Sequence, residues 1–230
     1  VNESAYERWL TASSASGLAV LALALPYPSV AVLVFLGWGG LFSAWLIIVG
    51  AGLRTPADGL TLLRLLLMFL AVALVFAEAW IPFAVLLFTV SLLLDLVDGW
   101  LAGKYGGTTW GAVYDMESDQ LWVMGIAVGI HSHHPSLAWV LIFPALKFLQ
   151  VLSLRIAGLP AADPKPVDGD NRRGRAVFAI VATGLLVSLL PGLPGALRAG
   201  VLLACLLLLV GSFAADQLHL WKTARRKGTP

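Results

Sequence analysis

Apolar runs of roughly twenty residues recur along this chain, and twenty is the length an α-helix needs to cross the hydrocarbon of a bilayer. Turn-forming residues and charges break the 230 residues into segments at about 14–26, 30–52, 59–78, 80–103, 110–133, 136–157, 174–191 and 195–221. Charged residues make up 12% of the sequence, half the roughly 25% of a soluble domain. Run length and low charge together predict an all-α, multi-pass integral membrane protein. The first segment is short, stopped by Pro26, Tyr27 and Pro28, and reads as a spanning helix or as a re-entrant or interfacial one.

A net charge of +2 is too small to point to nucleic acid. The single cysteine, Cys205, lies inside an apolar run, which removes a disulfide or a Cys-based metal site. The mixed, polar stretch Asn2–Thr11 does not read as a cleavable signal. Lys and Arg set orientation. Connections carrying Arg54, Lys104, Lys165, Arg172 and Arg173, and the tail Lys222, Arg225, Arg226 and Lys227, alternate with nearly base-free ones at 78–81, 131–135 and 191–197. If the last six segments span, every basic connection shares one side, expected to be cytoplasmic, and the C-terminus lies there.

Against this apolar background, Asp95, Asp98, Asp115, Glu117 and Asp119 crowd into 25 positions. Asp95 and Asp98 close one predicted helix and Asp115 and Asp119 open the next, both at the expected cytoplasmic end. At 100° per residue, Asp95, Asp98, Gly99 and Ala102 share one stripe, and Gly111, Asp115 and Asp119 share another. Glu117 points away from the second stripe. Small residues beside the acids let something bulky approach the backbone, and the Gly-rich turn 103–109 lets the two stripes face each other. Four converging carboxylates repel one another and are costly near lipid. Hard divalent cations resolve both problems, so one or two Mg²⁺ or Mn²⁺ ions, completed by substrate phosphate, are expected here. A diphosphate clamped in this way is set up for phosphoryl-type transfer. The plainer alternative is a solvated helix–turn–helix end. A transporter reading suits the acids less well, because transporter sites lie toward the midplane.

Lys147 lies ten residues inside its segment, about 15 Å deep at 1.5 Å per residue. An intramembrane Lys costs about 2.5–3.5 kcal/mol on insertion scales, so a partner is expected, with Asp216 or the acidic cluster as candidates. His131, His133 and His134 read as a short polar turn more readily than as a metal site. Gly37, Gly39, Gly40 and Ser43 suit close helix contact, within the chain or between copies.

The acidic hairpin resembles the signature of the CDP-alcohol phosphotransferases, D-x2-D-G-x2-A-R-x8-G-x3-D-x3-D. Asp95, Asp98, Gly99, Ala102, Gly111, Asp115 and Asp119 match it, while Gly103 stands at the usual Arg position and the stretch to Gly111 is one residue short. Lys104, directly after Gly103, is the substitute for that Arg, as a point charge rather than a bidentate fork. Thr61 and Arg64 match the Thr and Arg of the family's first core helix, and Lys147 and Arg155 stand eight apart where many members carry two Arg. Asp115–Met116 is shared with phosphatidylinositol synthases and with a group of bacterial members. The resemblance covers about residues 55–221.

The resemblance implies a six-helix transmembrane core at 55–221, preceded by an N-terminal hydrophobic extension of one or two helices at 1–54 and followed by a basic tail at 222–230. It implies that Asp95, Asp98, Asp115 and Asp119 bind the metal and that Asp119 is the general base for the acceptor hydroxyl. Thr61, Arg64, Gly99, Ala102, Lys104 and Gly111 would serve the nucleotide and diphosphate; Lys147, Arg155, Arg172 and Arg173 would serve the acceptor. The implied reaction moves a substituted phosphate, foremost the phosphatidyl group of CDP-diacylglycerol, to a polar alcohol and releases CMP. Transfer from CDP-choline or CDP-ethanolamine to diacylglycerol is the alternative, as is an inactive relative that only binds nucleotide or lipid. The expected setting is a prokaryotic cell membrane, with membrane lipids and a second copy of the chain as partners.

Overall fold

The computed structural model describes residues 3–49, 55–76, 80–105, 109–158 and 172–226, and within them the chain is all-helical. Eight α-helices follow in order: α1 (Glu3–Ala24), α2 (Pro28–Val49), α3 (Pro56–Phe76), α4 (Ile81–Tyr105), α5 (Thr109–His133), α6 (Ile142–Ile156), α7 (Arg172–Leu189) and α8 (Gly195–Arg226). A 3-10 turn, Pro135–Leu141, leads into α6. Among the described residues, Pro28–Ile48, Asp58–Val75, Pro135–Ile156 and Gly195–Ala215 are long and apolar enough to cross a membrane. The chain is an all-α membrane protein, as its composition requires.

One boundary needs correction. The first helix begins at Glu3, well before the expected position near 14, and runs for 22 residues. Tyr6, Trp9 and Leu10 recur at helical spacing and are all buried, so an apolar face runs through a stretch whose average looks polar. At the other end, α8 continues to Arg226 and carries the first bases of the tail.

α5 is the central helix: every residue from Leu121 to His131 is buried, and α2, α3, α6, α7 and the 3-10 turn all pack on it. Lipid tails are as apolar as Leu, so helices in a membrane associate through close packing rather than through exclusion of water. Gly125 shows how this is met. A Cβ there would lie 2.8 Å from Val72 and 3.3 Å from Phe35, so the missing side chain lets α5 close on α3 and α2. Gly39 makes a similar approach to Phe69, while Gly37 and Gly40 face open space. α1 packs on α2 and α6, and its buried face joins the same core as α3 and α5. Trp9 Nε1 donates to the Phe42 carbonyl at 3.0 Å and Trp38 Nε1 to Ser16 Oγ at 2.8 Å, which ties α1 to α2.

The helix ends are closed by side chains. Thr55 caps α3: its Oγ1 accepts from the Asp58 amide at 3.1 Å, and Asp58 Oδ2 accepts from the Thr55 amide at 2.8 Å, with Pro56 between them at the first helical position. At the opposite end of the bundle, His131 Nε2 donates to the Ala24 carbonyl at 3.1 Å and His133 Nε2 to that of Val75 at 2.6 Å. Arg198 donates to the carbonyls of Ser188 at 2.7 Å and Leu190 at 3.2 Å. These groups meet the orphan carbonyls ending α1, α3 and α7. His131 and His133 thus lie in the last helical turn of α5, not in a connecting turn, and cap neighbouring helices from there.

Candidate metal and nucleotide centre

The capped start of α3 fixes where Arg64 emerges, just over two helical turns after Pro56. Its guanidinium sits among carboxylates from the two neighbouring helices. Nη1 meets Asp115 Oδ1 at 2.6 Å; Nη2 meets Asp95 Oδ1 at 2.7 Å and Asp119 Oδ1 at 2.8 Å. Ser91 of α4 donates to the Arg64 carbonyl at 3.1 Å and locks the α3–α4 contact. Arg64 is buried, whereas the three acids keep part of their surface open. Thr61, one turn earlier on α3, is buried as well.

Asp95, Asp115 and Asp119 each offer an oxygen within 4.8 Å of the others. Their fit to a divalent cation can be judged from chemistry and charge. The donors are all hard carboxylate oxygens, the set that suits Mg²⁺ or Mn²⁺. Three carboxylates against one guanidinium leave two negative charges, which one divalent cation balances. Each carboxylate has lone pairs for a cation as well as for Arg64. The residues present fit the ion.

Of the other expected site residues, Gly111 is half-buried at the start of α5, Lys104 is exposed in the last turn of α4, and Arg173 is exposed in the first turn of α7. Gly99 lies within α4, while its surroundings and the side chains of Asp98, Ala102, Arg172 and Asp216 are outside what the structure describes. Glu117 is turned away from the acidic triad, as helical spacing dictates, and is not idle: Lys147 Nζ meets its Oε2 at 3.0 Å. Lys147 therefore pairs with Glu117, and it does so across the face of α5 that looks toward α6. Arg155 Nη1 meets Glu7 Oε2 at 3.3 Å. Sequence reasoning missed Tyr6 and Glu7, which belong to α1 and reach residues more than a hundred positions away. The helical spacing of Tyr6, Trp9 and Leu10 was the available signal.

In this all-helical membrane bundle α3, α4 and α5 bring together an arginine and three aspartates, a polar centre of net negative charge. A family model for CDP-alcohol phosphatidyltransferases matches residues 54–212, and the chain belongs to that family. No curated protein and no solved structure matches it. Membership makes the chain a transferase of phospholipid synthesis, with a CDP-alcohol as donor and an alcohol as acceptor.

Proposed function

We propose that the protein transfers the phosphatidyl group of CDP-diacylglycerol to a small polar alcohol and releases CMP, with Mg²⁺ or Mn²⁺ bound at the acidic centre. The convergence of Asp95, Asp115 and Asp119 on Arg64 carries this reading. Asp95, Asp98, Asp115 and Asp119 would hold one or two ions. When bound, the metal supplies positive charge to the diphosphate of the donor and so stabilises the leaving CMP. Asp119 accepts the proton of the acceptor hydroxyl; the freed oxygen attacks the phosphorus on the lipid side, and the bond from that phosphorus to the bridging oxygen of CMP breaks. Arg64 and Thr61, three positions apart on α3, would orient the diphosphate. Gly99, Ala102 and Gly111 leave room for the nucleotide, and Lys104 answers its charge.

Arg172 and Arg173, opening α7, are assigned to the acceptor. Lys147 and Arg155 each carry a carboxylate partner, which supports another task for them. The bases at this end of the bundle, among them Lys104, Arg172, Arg173, Arg225 and Arg226, support a cytoplasmic site. The test is CMP release by purified protein from CDP-diacylglycerol and, separately, from CDP-choline, with Mg²⁺ or Mn²⁺ and a panel of labelled polyols, polyol phosphates and diacylglycerol. Release with CDP-diacylglycerol and a polar alcohol is expected. Calorimetric CDP binding without turnover on any pair would replace this reading by that of a binding-only relative, for which Gly103 at the usual Arg position is the motive.

A further inference from the structure

Polar side chains join α1 to the side of α5 that faces away from the acidic triad. Glu117 is buried, yet both of its oxygens are held: Oε1 accepts from the Tyr6 hydroxyl at 3.2 Å and Oε2 from Lys147 Nζ at 3.0 Å. Lys147 also donates to the Met116 carbonyl at 3.4 Å. Tyr6 is fixed in turn, its ring stacked on Trp9 at 6.0 Å and 15°. Beside it on α1, Glu7 meets Arg155 of α6. Glu117 lies between Asp115 and Asp119 in sequence and about 160° around the helix from each. A carboxylate anchored through both oxygens fixes the rotation of this turn of α5. Rotation is what aims Asp115 and Asp119 at Arg64 and Asp95. A buried ion pair is a costly way to join helices where apolar contacts would serve; what it adds is direction.

We propose that Tyr6, Glu117 and Lys147 are positioning residues for the cation site, and that α1, which precedes the family-matched stretch, is a working part of that site. The inference rests on the triad binding a divalent cation. Its test is Mn²⁺ binding to the full chain in detergent, read by EPR as loss of the free aqueous signal, beside a thermal melt. Tyr6→Phe keeps the ring stack and removes the hydroxyl. Lys147→Met combined with Glu117→Gln removes both charges together and retains the bulk of the pair. Both are expected to weaken Mn²⁺ binding roughly tenfold, the lower edge of the effect of losing an outer-shell partner. Ser16→Ala, which removes the hydroxyl that Trp38 reaches elsewhere on α1, lowers the melting temperature and leaves Mn²⁺ affinity unchanged. Unaltered affinity in Tyr6→Phe and the double variant overturns the proposal and leaves the cation site standing. An equal loss in Ser16→Ala overturns it too, by assigning the effect to general loosening. A wild-type chain that binds no Mn²⁺ brings down the reading of the site itself.

Discussion

Arg64→Met removes the cation that three carboxylates share and keeps most of the side chain's length. Arg64 is 4% exposed, whereas Asp95, Asp115 and Asp119 keep 24, 41 and 23% of their side-chain surface. Breaking a fully buried pair costs about 3–5 kcal/mol. Exposure of the acids on this scale screens the loss to about 2 kcal/mol. For a chain of this size 1 kcal/mol moves the melting midpoint by about 2–4 °C, so the metal-free variant should melt about 4–8 °C below wild type. A divalent cation engages the same carboxylates, and at a hundredfold excess over its Kd it returns about 2.7 kcal/mol. The variant therefore regains its lost stability in Mg²⁺ or Mn²⁺ and gains more from the metal than wild type, where the guanidinium already offsets part of the charge. Scanning fluorimetry in detergent, with EDTA and then with a metal titration, measures both quantities. Arg64→Lys should fall between the two, since one ammonium cannot reach three carboxylates as a planar fork does. Equal melting of Arg64→Met and wild type in EDTA, with equal metal shifts, would refute the reasoning.

Asp119→Asn removes the proposed general base along with a charge of the cation site, and a CMP-release assay should show a loss of at least about 10²–10⁴-fold while the protein remains folded. Gly125→Val puts carbon where Val72 and Phe35 already approach to 2.8 and 3.3 Å. The overpacking is expected to cost about 1–3 kcal/mol, seen as a lowered melting temperature with the acidic centre unchanged in sequence.

Helices α2 to α8 were legible because spanning length and turn-formers are local signals, and the expected breaks at Pro26–Tyr27 and 192–194 fall between helices. The start of α1 was hidden, since Glu3, Glu7 and Arg8 mask the buried Tyr6, Trp9 and Leu10 in any windowed average. The shared face of Asp115 and Asp119 on α5, with Glu117 turned away from it, was legible from helical spacing alone. What spacing does not carry is pairing across the chain. Arg64 bridges acids 51 and 55 residues away, and Tyr6 finds Glu117 across 111. Lys147 announced that it needed a counter-ion but not which one. A carboxylate's own helix says where it points, and only the packing of α1 and α6 on α5 says what waits there.

The histidine and arginine caps at the far end of the bundle bear on how the molecule meets its surroundings. Helix C-termini normally draw water to their last carbonyls. Here the ends of α1, α3 and α7 are met by His131, His133 and Arg198. Each of these ends therefore calls on less water than an uncapped one, and that rim can settle toward headgroup depth with a thinner collar of hydration.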